Sequence, residues 1–279
     1  MREFFGFGGY NRTPEGFLSW QHLLFVTIFM AIMVWLAAFL GLKNKDKDMS
    51  IKNKVLMWAA IIVDALEIIK IVIVCIRGND AMLWRYNLPL FLCSIQLITI
   101  PLAAFAKGRV KEAALDFVFI FGILGAVLGT YGADQNFNAN PVLSFDNCFS
   151  VVEHAIAGFA SLYIGFAKMT SMKSNNIIIT FAILLSFCVA AYAANHIIDY
   201  NYMFLMRGDG TPYDIFYNMV NGSKILYPLV VVFLFLLYVS TFYLVFFFIK
   251  KKKSEKIETS NEPAETSNEP AETTNETTE

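Results

Sequence analysis

Seven stretches of this chain, about 19–42, 54–76, 88–106, 112–133, 148–168, 175–196 and 225–249, are apolar over a length close to that of a bilayer crossing. A hydrocarbon core about 30 Å thick needs roughly 20 mainly apolar residues per helix. Lipid cannot satisfy open backbone groups, so each crossing has to be helical. The expected fold is all-α, a polytopic membrane bundle of seven transmembrane helices. Composition points the same way, with 57% of residues hydrophobic and 16% charged. Soluble domains carry about 25% charged residues, so a soluble globular enzyme is disfavoured. The first stretch lacks the basic region and small-residue cleavage site of a signal peptide and is expected to stay in the mature protein.

Orientation follows from the basic residues in the connections. With the N-terminus out and the C-terminus in, fifteen Lys and Arg residues fall on the inner side, six on the outer side, and Lys70 inside a span. This division predicts an outer segment 1–18, a transmembrane domain 19–250 and a terminal region 251–279. From Glu258 onward that region repeats Glu-Thr-Ser-Asn-Glu-Pro-Ala. It carries seven glutamates and no basic residue, so the net charge of −1 divides into −7 here and +6 elsewhere. With almost nothing apolar to bury, the repeat is expected to be disordered. The lysines at 250–253 form a basic anchor suited to anionic lipid. The scattered basic residues are not a nucleic-acid surface, and no nucleic-acid partner is expected.

Polar residues inside lipid are costly, at least about 2.5–3.5 kcal/mol for a central charge, so they mark either internal pairing or function. Asp64, Glu67 and Lys70 share one face of the second span, covering an arc of about 120°, and Glu67 and Lys70 are one turn apart. This trio is either an ion pair that orients the bundle or the lining of a polar cavity; its sequence leaves both open. Cys93 and Gln96 share a face of the third span, with Pro89 expected in its first turn. Glu153 and His154 lie in the fifth span, His22 near the outer end of the first, and Asn195 and His196 at the outer end of the sixth. At 1.5 Å per residue, Lys70 lies roughly 9 Å, Cys93 roughly 7 Å and His154 roughly 8 Å below the outer ends of their spans, with His22 and His196 slightly shallower. Side chains from five helices are thus expected at one depth, as an outward-facing pocket requires. Gly122, Gly125 and Gly129 in the fourth span read as helix-packing positions.

Four pieces carry a resemblance: Leu18-Ser19-Trp20-Gln21-His22-Leu23, Leu88-Pro89-Leu90-Phe91-Leu92-Cys93, Val152-Glu153-His154-Ala155 and Asn201-Tyr202-Met203-Phe204-Leu205. In this order they resemble the YwaF-type family of bacterial integral membrane proteins, itself similar to eukaryotic transmembrane lipid acyltransferases. Where the family often has a histidine two residues before the cysteine, this chain has Phe91. The resemblance implies catalytic roles for Cys93 and His154, nucleophile and base. It adds Asn201 to the polar pocket expected from Asp64, Glu67, Lys70, Gln96, His22 and His196.

Two function classes follow. One is cysteine-dependent acyl transfer or hydrolysis on a membrane lipid, with Gln96 donating to the developing oxyanion. The other is a transporter or small-ligand-binding protein using the Asp64, Glu67 and Lys70 face. A third class, a structural or assembly protein, would tolerate changes at all the depth-matched residues. A retinal protein is excluded, because residues 225–249 contain no lysine. No cofactor and no metal are expected, since no helix carries metal ligands at coordinating spacing. The expected partners are membrane lipids and a lipid or small-molecule substrate, and the expected location is the plasma membrane.

Overall fold

A computed structural model describes residues 2–261 of the chain, with side chains described through residue 252. The helices are α1 (Trp20–Asn44), α2 (Met49–Gly78), α3 (Gln96–Phe105), α4 (Gly108–Tyr131), α5 (Asp134–Ala139), α6 (Phe145–Phe166), α7 (Ile177–Ile198), α8 (Tyr213–Met219) and α9 (Leu226–Asn261). Short 3-10 turns cover Ala81–Asn87, Ser174–Asn176 and Tyr202–Phe204. No strand occurs among the described residues.

Helix boundaries follow local chemistry. Ser19 caps α1 by accepting from the His22 amide at 3.2 Å, and Ser144 caps α6 by accepting from the Asn147 amide at 3.2 Å. Each satisfies one of the amides a helix start leaves open. Helix α2 ends where Asn79 turns into the left-handed region at φ +48°, a conformation asparagine tolerates better than most residues.

Packing is organised around α4 and α6. Helices α1, α2 and α3 gather on one side of this pair, and Ala37, Leu56, Ile100, Leu115, Ala160 and Tyr163 interlock there. On the other side α7 and α9 pack against α4 through Phe117, Phe121, Leu184, Val231 and Val239. The outward faces of α1, α7 and α9 carry large exposed apolar side chains, including Trp35, Val189 and Phe233. Continuous exposed apolar faces of this kind suit hydrocarbon rather than water.

Five helical stretches are long and apolar enough to cross a membrane: Trp20–Asn44, Gly108–Ala139, Phe145–Phe166, Ser174–Ile198 and Leu226–Lys252. Seven were expected, and the difference lies in the second and third. Helix α2 has 30 residues, ample length, but holds Asp64, Glu67 and Lys70 within two turns. The third stretch is helical only from Gln96 to Phe105, 10 residues with Pro101 inside. Residues 88–95 are irregular, so Pro89 precedes the helix instead of occupying its first turn. At the far end, α9 continues through Asn261, past the lysine run and into the first acidic repeat. Disorder was expected from Glu258, but no helix breaker intervenes before Pro263. The remaining repeats, 262–279, lie outside the described residues.

The α4–α6 contact rests on a small residue. A Cβ at Gly122 would stand 2.6 Å from the Ala157 carbonyl oxygen and 2.7 Å from Ser161 Cβ. A backbone atom cannot yield as a flexible side chain can, so Gly122→Val should lower unfolding stability by about 1–3 kcal/mol. Thermal unfolding in detergent checks this. Gly125→Ala, whose new methyl meets nothing nearer than 3.4 Å, should leave the midpoint unchanged or raise it.

Candidate functional site

The irregular stretch 88–95 builds the site, and its shape follows from Pro89. Proline lacks an amide donor and disfavours helix at the residue before it; Leu88 accordingly sits at φ −66°, ψ 147°. The freed backbone is tied down from outside. The Tyr202 hydroxyl donates to the Arg85 carbonyl at 2.6 Å and accepts from the Leu88 amide at 3.1 Å. Tyr202 is itself held, because Asn195 donates to its carbonyl at 3.0 Å and accepts from its amide at 2.6 Å. The Phe91 ring packs edge-on to Tyr202 at 5.0 Å. Met203 and Phe204 both take φ +55°, a strained choice for large side chains that this packing enforces. The Asn201–Leu205 piece is thus a strap across the segment that carries Cys93.

Behind the strap is a cavity of about 280 Å³, walled by residues of α2, the 81–97 segment and α6, together with Asn136 and Tyr200. Cys93, Gln96, His154, Glu67 and Lys70 all line it. The Cys93 thiol and the His154 ring line the same cavity and interact electrostatically. His154 Nδ1 lies 2.7 Å from the Ser150 carbonyl oxygen, which can only accept, so Nδ1 carries the proton. That hydrogen bond leaves Nε2 as the basic nitrogen. Room for the pair comes from α4. Gly125 faces Cys93 across a gap a methyl would just fill, and a Cβ at Gly129 would overlap the His154 ring. Cys93 lies three residues before the start of α3.

Lys70 donates to Glu67 and, at 2.7 Å, to Glu153 Oε2. One ammonium therefore joins two carboxylates from α2 and α6 at the cavity wall. The cluster keeps unused capacity, because Glu153 Oε1 and Gln96 Nε2 are buried without a hydrogen-bond partner. Gln96 is only 2% exposed, and the Thr99 hydroxyl lies 3.2 Å from its carbonyl oxygen, leaving the amide nitrogen uncommitted. Buried polar atoms are nearly always satisfied, so an unpaired donor and acceptor in one cavity wall mark places where a bound molecule can bond.

Other residues expected in the pocket lie elsewhere. His22 is fully buried between the Leu18 amide at 3.1 Å, the Thr130 carbonyl at 3.1 Å and the Phe137 ring at 3.8 Å. Its ring nitrogens are engaged in joining α1 to α4. His196 is exposed and packs on Tyr192 at the surface. Asn201 donates to the Arg207 carbonyl at 2.8 Å and to Asp209 at 2.7 Å, shaping the loop behind the strap. Asp64 does not line the cavity. Lys70, Cys93 and His154 thus line one cavity, while His22 and His196 do not. The sequence does not point to Ser150, to the pairing of Glu153 with Lys70 or to the space-making role of Gly125 and Gly129. Glu153, a carboxylate beside a histidine within an apolar span, was the available signal. Among the described residues no group of three His, Cys, Asp or Glu is placed to hold a metal ion.

At the same end of the bundle the N-terminal segment is clamped down. Arg77 grips Asp146 through two hydrogen bonds of 2.7 and 2.9 Å, and Tyr10 donates to the same carboxylate at 2.7 Å. Burial, reinforced by Asp146, pushes the Tyr10 hydroxyl above the usual tyrosine range.

No curated protein and no solved structure matches the chain. A family model does match, over residues 17–249, from just before α1 to nearly the end of the lipid-length part of α9, with the cavity and the strap inside it. The chain is a membrane protein with several apolar helices, and it belongs to the TMEM164 family.

Proposed function

We propose that this protein is a membrane enzyme that moves an acyl group from a lipid ester through a thioester on Cys93, with His154 as the base. The observation that carries the reading is that Cys93 and His154 line one cavity, with Nδ1 of the histidine committed to the Ser150 carbonyl. A nucleophile beside a base that a third group orients is the arrangement covalent catalysis uses. The resemblance to transmembrane lipid acyltransferases, which pointed to these two positions from sequence, is part of the same proposal.

His154 Nε2 takes the thiol proton, and the thiolate adds to the ester carbonyl. The carbon–oxygen bond to the lipid alcohol breaks, and that alcohol leaves with the proton from His154. A second alcohol then gives its proton to His154 and attacks the thioester, and the thiol is restored. Water in place of that alcohol gives hydrolysis. Gln96 Nε2 supplies a hydrogen bond to the oxyanion in both halves. Such a preorganised donor in a water-poor site is among the larger contributions an enzyme makes.

The proposal extends to topology. Helix α2 spans about 45 Å at 1.5 Å per residue, enough to cross with Glu67 and Lys70 facing the cavity. The 88–105 segment crosses as a broken unit, its irregular part tolerated because it lines a polar cavity. With seven crossings the lysine-rich connections lie together inside, the N-terminus and the cavity lie toward the outer leaflet, and the membrane is the plasma membrane.

Labelling of the reconstituted protein with a lipid-like, thiol-reactive acyl probe is the test. Wild type should be labelled, Cys93→Ala should not, and His154→Ala should be labelled far more slowly while still folded. Cys93-independent labelling, or turnover unchanged in Cys93→Ala and Cys93→Ser, would sink the reading and turn attention to transport through the Glu67–Lys70 face. In the active protein, Gln96→Leu should reduce the transfer rate by about 10²–10³-fold, the loss seen on removing one oxyanion donor. Rate measurements with a fluorescent lipid ester read this out.

A further inference from the structure

A second polar cavity lies at the opposite end of the bundle, among the lysine-rich connections. Its volume is about 420 Å³, and Gly108, Lys111, Glu112, Lys168, Thr170 and Lys173 are in its lining. Three ammonium groups thus face one carboxylate. Lys173 is committed to Glu112 at 2.8 Å, which accounts for that carboxylate. Lys111 has only neutral oxygens, the Asn53 side chain at 2.7 Å and the Ala104 carbonyl at 3.4 Å. The Lys168 ammonium has no ion-pair or hydrogen-bond partner among the described residues. Two positive charges are therefore uncompensated at one concave site.

The surroundings reinforce the sign. Helix α4 begins at this cavity with Lys107 as its first flanking residue and no side chain capping its open amides. The start of a 24-residue helix adds partial positive charge where the lysines already converge. The nearest buried carboxylate, Asp116, is already satisfied by Thr170, Asn176 at 3.1 Å and Tyr243 at 2.8 Å. The loop between α6 and α7 is fastened by Lys250, which donates to the Ser171 carbonyl and to the Met172 carbonyl at 3.4 Å.

We infer that this cavity is a binding site for a phosphate-bearing anion, held by Lys111, Lys168 and Lys173 at the start of α4. Basic pockets between membrane helices at the inner face take anionic phospholipid headgroups in this way. A free phosphorylated solute offers the same chemistry, and the experiment separates the two sources. The site lies at the other end of the bundle from Cys93, so it stands or falls independently of the acyl-transfer reading.

The test uses the full chain in neutral detergent. Phosphatidylglycerol and phosphatidylcholine with the same acyl chains are titrated in, and bound lipid is counted by native mass spectrometry. Wild type should prefer phosphatidylglycerol. The double variant Lys168→Gln, Lys173→Gln should lose that preference by about tenfold or more, and Lys168→Gln alone, which breaks no contact, should lose part of it. A control pair on the neighbouring connection, Lys43→Gln with Lys47→Gln, should keep it. Inorganic phosphate that leaves the lipid in place identifies a lipid headgroup as the ligand, and phosphate that displaces it identifies a free phosphorylated solute. Equal binding of the two lipids by wild type with no bound phosphate, or equal loss in the control pair, would overturn the proposal.

Discussion

The break in the third apolar stretch is the constraint on which the site depends. Pro89 stops a helix from forming over 88–95, and backbone groups left open in a packed segment have to be satisfied within the protein. Tyr202 does this from the far side of the bundle, bonding both Arg85 and Leu88. Those bonds in turn require the tight Asn201–Leu205 turn, with Met203 and Phe204 in the left-handed region. Proline, strap and cavity form one unit: the helix is interrupted, the interruption is braced, and the space that results holds Cys93 beside His154.

Charge is distributed to match. Near Cys93 the ions are paired across helices, Lys70 with Glu67 and Glu153, so the cavity is polar without a large uncompensated charge. A lone buried ion would be far more costly than this cluster. At the other end the lysines outnumber their partners and stand around a cavity. The two cavities therefore differ in kind. One brings together a thiol, an imidazole and unpaired hydrogen-bonding atoms, while the other presents an excess of positive charge.

Small residues on α4 serve two purposes that sequence spacing cannot tell apart. Gly122 lets the α6 backbone approach, whereas Gly125 and Gly129 leave space for Cys93 and the His154 ring. All three glycines fall on one side of the helix, so spacing alone suggests a single packing seam. What lies opposite each glycine depends on how α6 is rotated and where the broken segment runs. Both are set by contacts between residues distant in the chain.

Sequence by itself determined the all-helical membrane class and the local Glu67–Lys70 pair. These depend on hydropathy and on helical period, which are properties of a single segment. Tertiary structure decided which of the polar residues in those segments meet. Rotation about each helix axis buried His22 against Thr130 and left His196 exposed, while it brought Glu153 to Lys70. It also decided that 88–95 would be irregular, because the bonds that stabilise that shape come from Tyr202, more than a hundred residues away. Composition predicts where a chain enters lipid; the neighbours of a polar group inside it are chosen by packing.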